Sequence, residues 1–161
     1  MPTNDDIIAD VIEHESEKET NDPDDKGGRT KYGISEKSNP EAWADDQVTK
    51  DEAQEIYARK YITGPGFDKV VDYHLRAQLV DFGVTSGPMI AIMKLQEVLG
   101  AGGVDGILGP ITLGTLAMQH PEAVSTRLVA ARIRMICRIV KRDPSQLKYL
   151  AGWVDRALEF L

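Results

Sequence analysis

Apolar positions recur at helical spacing through most of the chain. The first stripe follows Asn4, which we expect to cap a helix that ends near Glu15. Capping residues, prolines at helix starts and glycines at helix ends predict further helices downstream. Their expected ranges are residues 49–61, 72–84, 88–100, 110–119, 121–142 and 144–161.

The pattern changes between residues 16 and 35, where Asp, Gly, Thr and Pro replace the apolar stripe. This composition predicts an extended loop with a short hairpin near residues 30–34. No strand-rich region or repeat is visible elsewhere, so the expected fold class is mainly α, a helical bundle with a small β element in the first third. We expect one domain, 1–161, with a loop-bearing part at 1–64 and a helical lobe at 65–161.

Composition and charge exclude several classes of protein. The chain has 161 residues and a net charge of -7, which fits one soluble domain and argues against a nucleic-acid-binding protein. A single cysteine, Cys137, excludes an intrachain disulfide and cysteine-based zinc sites. We expect Cys137 to be an inert core residue on the long helix, and we expect a monomer without metal or cofactor.

The charge is distributed unevenly, and no targeting segment is visible. Residues 1–60 are strongly acidic, whereas residues 121–161 carry eight bases and four acids. Solvated surface is the simpler interpretation, and contact of the basic end with an anionic partner is the alternative.

The start of the chain lacks a basic segment followed by an apolar run, and no run is long enough to span a membrane. We therefore expect synthesis in the cytoplasm and no membrane insertion.

The loop after the first helix holds the candidate chemistry. Glu15 lies at the end of an apolar helix face, where burial would favour a protonated carboxyl, and Asp24 or Asp25 follows in an open polar loop. Two carboxyls in opposed environments suit glycoside hydrolysis, in which one protonates the leaving oxygen and the other assists water or stabilises charge. The Thr30 hydroxyl could hold that water. A merely solvated loop is the alternative, and a calcium loop is disfavoured because Lys26 takes a ligand position.

Several motifs, in order, resemble glycoside hydrolase family 108. His14-Glu15 followed by NDPDDKGGRTKYGI at residues 21–34 is similar to that family's H-E-G-G-Y, N-D-P and D-x-G-G-x-T-x-(Y/F)-G-I. Further similar motifs are DFGVTSG at 81–87, Leu95-Gln96, DGILGPIT at 105–112 and GWVDR at 152–156. The chain departs from the pattern at Ser16 and Glu17, where the family has glycines, and at Gly83 and Thr85.

The resemblance implies a lysozyme-like fold and an N-acetylmuramidase acting on peptidoglycan, often a phage endolysin. The family's acid glutamate corresponds to Glu15. Glu15, Asp24 and Thr30 also show spacing similar to the Glu-x8-Asp-x5-Thr triad of phage-type lysozymes. That spacing favours Asp24 as the second carboxylate, whereas the family's D-x-G-G motif favours Asp25. We further expect Asp25, Tyr32 and Asp81 to contact the substrate.

The expected reaction is hydrolysis of the β-1,4 bond between N-acetylmuramic acid and N-acetylglucosamine, serving host cell lysis. The expected route is release from the host cytoplasm through a holin pore to the cell wall. Two alternatives remain open: a lytic transglycosylase, which needs one glutamate and no water, and a non-catalytic cell-wall-binding or secretion-associated protein.

Overall fold

The computed structural model describes residues 3–15, 28–100 and 102–161. Contacts between Cα atoms divide the chain into two compact units, Met1–Gly64 and Pro65–Leu161. The described residues form a mainly α fold with one small antiparallel sheet, as the sequence predicts. None of the helices in these ranges combines the length and hydropathy needed to cross a bilayer.

The first unit begins with α1, Asn4–His14, which buries its apolar stripe. The cap is Thr3 rather than the predicted Asn4. The Thr3 hydroxyl accepts a hydrogen bond from the Asp6 amide, while the Asp6 carboxylate accepts one from the Thr3 amide. This reciprocal pair is a capping box with aspartate in place of the usual glutamate, so two otherwise unpaired amides are satisfied one residue earlier than expected.

A short hairpin follows, at the position that the sequence predicts. Its strands are β1, Thr30–Lys31, and β2, Ile34–Ser35, which pair antiparallel. Tyr32 and Gly33 form the turn, with φ angles of 51° and 72°. Positive φ at both central residues is typical of the type I′ turn, whose twist matches that of the flanking strands.

The second helix packs against the first. α2, Lys50–Ala58, starts at the predicted Thr49 and Glu52 capping box. It continues as a π-helical turn over Arg59–Thr63, and the Gly64 amide donates to the Arg59 carbonyl at 2.9 Å. A 3-10 turn, Pro40–Trp43, precedes it and buries the indole of Trp43. The buried face of α1 packs against α2, and the two helices form the core of the first unit.

The second unit is helical, and its helices begin and end close to the predicted capping residues, prolines and glycines. They are α3 (Tyr73–Ser86), α4 (Pro88–Leu99), α5 (Pro110–Ala117), α6 (Pro121–Arg142) and α7 (Leu150–Leu158). The predicted final helix differs, because Pro144–Tyr149 forms a 3-10 segment before α7 starts. Asp72 caps α3 through the Leu75 amide, and Gly100 ends α4 with a φ of 66°.

Cys137 is exposed, so its predicted place in the core is wrong. The buried residues of α6 are Val124, Ser125, Leu128, Val129, Arg132 and Ile136. This set follows one helical stripe and includes an arginine, whereas Cys137 lies about 100° around the helix from Ile136. The buried stripe of α6 therefore includes Arg132 and Ile136 and leaves Cys137 exposed beside it.

The motif at residues 105–112 is a turn held by a buried glutamine. The Gln96 side-chain oxygen accepts hydrogen bonds from the amides of Asp105 and Gly106, each at 3.0 Å. Its amide nitrogen donates to the Asp105 carboxylate at 2.7 Å and to the Thr112 hydroxyl at 3.1 Å. The side-chain oxygen and nitrogen of Gln96 are both paired, as buried polar groups require, and they hold the connection between α4 and α5.

Candidate active site

The end of α1 places Glu15 beside the turn of the hairpin. Its backbone leaves the helix in an extended conformation, and its amide still donates to the carbonyls of Val11 and Ile12 at 3.2 Å. The side chain is half-buried. A β-carbon built on Gly33 would lie 3.2 Å from both Cγ and Oε2 of Glu15, so the carboxyl group lies next to the turn.

Gly33 leaves room for a tyrosine hydroxyl next to this carboxyl group. Tyr57 of α2 is buried, and its hydroxyl donates to the Tyr32 carbonyl at 3.1 Å. The same hydroxyl would collide with a β-carbon at Gly33. The hairpin turn, the end of α1 and α2 therefore meet at one point, and a residue without a side chain is required there.

We expect Gly33→Ala to destabilise the protein by about 2–3 kcal/mol, since a left-handed alanine costs about 1–2 kcal/mol and the collision with Tyr57 adds to it. The free energy of unfolding from urea titration is the measurement. Gly100→Ala is the matched control, because Gly100 also has a positive φ but open space around it. Equal losses in the two variants would contradict the close contact at Gly33.

Thr30 belongs to the same hairpin. It lies in β1, is half-buried, and its hydroxyl donates to the Gly28 carbonyl at 3.3 Å. The hydroxyl oxygen retains its capacity to accept a hydrogen bond. The predicted second carboxylates, Asp24 and Asp25, lie outside the described residues.

Tyr32, which the sequence predicts to contact the substrate, is buried in the hairpin turn. The residue is only 7% exposed, and its carbonyl is held by the Tyr57 hydroxyl. The Lys31 ammonium lies 5.4 Å from the ring centroid. Little of the ring is left for a sugar, so the structure assigns Tyr32 to the formation of the turn beside Glu15.

Arg29 anchors the start of the hairpin, and its role is not among those that the sequence predicts. Its guanidinium donates to both carboxylate oxygens of Glu36, at 2.9 and 3.1 Å, and pairs with Asp46 at 2.7 Å. It also lies 4.7 Å from the centroid of the Trp43 ring. A two-residue turn at Tyr32 and Gly33 puts Arg29 opposite Glu36. The pairing of Arg29 with Glu36 could therefore have been predicted from the hairpin register.

The Arg29 guanidinium holds the pKa of Glu36 below its ordinary value of 4.5. A carboxylate with a lowered folded-state pKa adds stability above its unfolded-state pKa and loses it as the pH falls through the folded-state value. The wild type should therefore be more stable than Glu36→Gln at about pH 7, and we expect this difference in unfolding free energy to shrink as the pH is lowered to about 3. In an Arg29→Gln background the shrinkage should disappear, and a difference that is constant with pH would contradict the ion pair.

Asp81, the third residue expected to contact substrate, is enclosed by two arginines in the second unit. One carboxylate oxygen accepts from Nη1 of Arg132 and the other from Nε of Arg156, both at 2.7 Å. Arg132 also donates to the Thr85 hydroxyl at 3.0 Å and lies over the Phe82 ring. With 5% of the residue exposed, Asp81 links α3 to α6 and α7 and does not present a free carboxylate to a ligand.

Potential metal ligands are not clustered in the part of the chain that the structure describes. Within residues 3–15, 28–100 and 102–161, no group of three or more His, Cys, Asp or Glu side chains is arranged to hold an ion. The chemistry supported by the described side chains is that of a half-buried carboxyl group next to a hydroxyl-bearing hairpin.

Comparison with known proteins agrees with this arrangement. Residues 8–87 match the family model of glycosyl hydrolase 108, and residues 90–158 match that of a predicted peptidoglycan domain. No curated protein sequence matches the chain. A solved structure described as "Structure of Brucella abortus SagA" is similar at 25% identity and a TM-score of 0.77, covering 95% of this chain and 88% of that one.

The first family match ends at residue 87, between α3 and α4, and the second begins at residue 90, in the first turn of α4. The two compact units instead divide between residues 64 and 65. The glycosyl hydrolase match includes α1, Glu15, the hairpin and Tyr57. The fold is mainly α and lysozyme-like. The chain therefore carries a glycosyl hydrolase 108 region followed by a predicted peptidoglycan domain, and it is a glycoside hydrolase that degrades peptidoglycan.

Proposed function

We propose that the protein is an N-acetylmuramidase that hydrolyses the β-1,4 bond between N-acetylmuramic acid and N-acetylglucosamine, with Glu15 as the general acid. The position of the Glu15 carboxyl group next to the hairpin turn carries this proposal. The side chain is half-buried at the end of α1, and partial burial of a carboxyl group suits a proton donor to a glycosidic oxygen. The family match over residues 8–87 supports the same class of reaction.

In this proposal, Asp24 is the second carboxylate and the Thr30 hydroxyl holds the attacking water. An ionised carboxylate on the far side of the sugar stabilises the developing positive charge or activates that water. Asp25 contacts the substrate. We expect Asp24→Asn to lower turnover more than Asp25→Asn does. Retained turnover in Asp24→Asn together with lost turnover in Asp25→Asn would show that Asp25 is the second carboxylate.

The bond that is cleaved can be identified from the sugar at the new reducing end. Purified sacculi are digested with the wild type, the products are reduced with borohydride, and the reduced sugar is identified by mass spectrometry. A muramidase leaves reduced N-acetylmuramic acid. Reduced N-acetylglucosamine would instead show a glucosaminidase and would overturn the proposed bond while leaving the family assignment intact.

We also propose, on the resemblance to phage endolysins, that peptidoglycan degradation serves the lysis of a bacterial host. The enzyme would reach the wall after release from the cytoplasm. Loss of turbidity in permeabilised Gram-negative cells is the expected result, and unchanged turbidity with an enzyme that digests sacculi contradicts this role.

A further inference from the structure

An open groove runs between α4 and α6 in the second unit and has a volume of about 400 Å³. Lys94 and Glu97 line the α4 side, and small residues of α6, Ala130 and Ala131, form part of the lining. The groove lies within the region matched by the predicted peptidoglycan domain. It belongs to a different part of the chain from Glu15 and has no part in the proposed hydrolysis.

The charge of the groove is opposite to that of the whole chain. Its charged lining residues are Lys94, Glu97, Arg127, Arg134 and Arg138, four bases and one acid, whereas the protein carries -7. The three arginines lie at positions i, i+7 and i+11 of α6, which puts them on one side of the helix. They extend over about 16 Å at the helical rise of 1.5 Å per residue.

The cations differ in how firmly they are held. The Arg127 guanidinium donates to the Val98 carbonyl at 3.0 Å, to the Gln119 side chain at 2.6 Å and to the Ala123 carbonyl at 3.1 Å. It is therefore fixed at one end of the row. Lys94 is paired with Glu97 at 2.7 Å.

Arg134 and Arg138 are exposed on the same groove. Within the part of the chain that the structure describes, neither guanidinium has a hydrogen bond or an ion pair. Two adjacent guanidinium groups over a small-residue lining suit a ligand that carries carboxylates, because arginine binds a carboxylate through paired hydrogen bonds.

We propose that this groove binds the peptide stems of peptidoglycan through their free carboxylates. The inference rests on peptidoglycan as the substrate and adds which part of the polymer the second unit recognises. Sugars of the glycan strand carry no net charge once the lactyl group of muramic acid is joined to a peptide, so the polymer's negative charge lies on the stems. A row of about 16 Å matches about five extended residues at 3.3 Å each.

The test measures binding separately from hydrolysis. Gram-negative sacculi, free of teichoic acid, are mixed in the cold with full-length Glu15→Gln protein, and the bound fraction is measured by sedimentation over a range of protein concentrations. Adding Arg134→Gln and Arg138→Gln is expected to weaken binding about tenfold, the size of one lost charge-assisted contact. Binding should also weaken as salt is raised, because exposed charges are screened.

Lys141→Gln with Arg142→Gln is the matched control. It removes the same two charges from exposed positions of the same helix outside the groove, and it should bind like the parent protein. Sacculi whose carboxylates have been converted to neutral amides form the second arm, and the parent protein should bind them as weakly as the groove variant binds untreated sacculi.

Equal binding by the groove variant and the control, or full binding to amidated sacculi, would overturn the proposal. The proposal would also be overturned if the groove arginines were needed for binding to phosphatidylglycerol vesicles while binding to sacculi did not depend on their carboxylates. That result would show that the groove binds a lipid surface. Failure of the proposed hydrolysis has a different readout, since the wild type would then release no reducing ends from sacculi.

Discussion

Replacement of Glu15 by glutamine should lower the rate of peptidoglycan hydrolysis by about 10²–10⁴-fold, the range for loss of a general acid. Glutamine keeps the size of the side chain and its contact with the turn at Gly33. It cannot transfer a proton to the leaving oxygen. The measurement is the release of reducing ends from sacculi, with circular dichroism to show that the fold is retained.

Glu13→Gln is the control for this variant. Glu13 lies two residues earlier on the exposed side of α1 and carries the same charge. Its replacement is expected to leave the hydrolysis rate unchanged. Wild-type turnover in Glu15→Gln, or an equal loss in Glu13→Gln, would remove Glu15 from the role of acid.

Replacement of Asp81 by alanine should destabilise the protein by about 3–5 kcal/mol, the cost of breaking a buried ion pair by removing one partner. Arg132 is 3% exposed and donates directly to Asp81, and Arg156 donates to its other oxygen. Without the carboxylate, two guanidinium groups lose their counter-charge between α3, α6 and α7. Urea unfolding followed by circular dichroism measures the loss.

Asp155→Ala removes an equal charge from an exposed position on α7. A surface change of this kind is expected to alter stability by no more than about 0.5 kcal/mol. A similarly small change for Asp81→Ala would show that the buried pair does not hold these helices together. It would also restore Asp81 as a candidate contact for the substrate.

Helix boundaries were predictable wherever a local signal decides them. The Thr49 and Glu52 box, Asp72, Gly100 and the prolines at helix starts act on neighbouring backbone groups, so short-range pattern is sufficient. The cap of α1 was misplaced by one residue because both Thr3 and Asn4 are good caps. Only the reciprocal bond between Thr3 and Asp6 decides between them.

Burial on α6 was less predictable, because one core position is an arginine. Arg132 is buried only since Asp81, 51 residues earlier, supplies its counter-charge. Nothing near Arg132 in the sequence signals that partner. The apolar pattern alone therefore extended the buried face to Cys137, which is exposed.

In the candidate site, the sequence indicated Glu15 and the hairpin but not the contact between them. Tyr57 and Tyr32 are 25 residues apart, and their hydrogen bond depends on the packing of α2 under the turn. The requirement for glycine at position 33 follows from that packing as well as from its positive φ. Long-range contacts of this kind are set by tertiary structure and are absent from local pattern.

Hydrolysis dependent on Glu15 is tested most directly by digestion of sacculi in water enriched in heavy oxygen, followed by mass spectrometry of the released fragments. Each new reducing end made by the wild type should carry one oxygen from the solvent, and Glu15→Gln should release almost no fragments. Anhydromuramic ends without solvent oxygen would contradict this mechanism and show a lytic transglycosylase. Labelled fragments from Glu15→Gln at the wild-type rate would contradict the assignment of the acid.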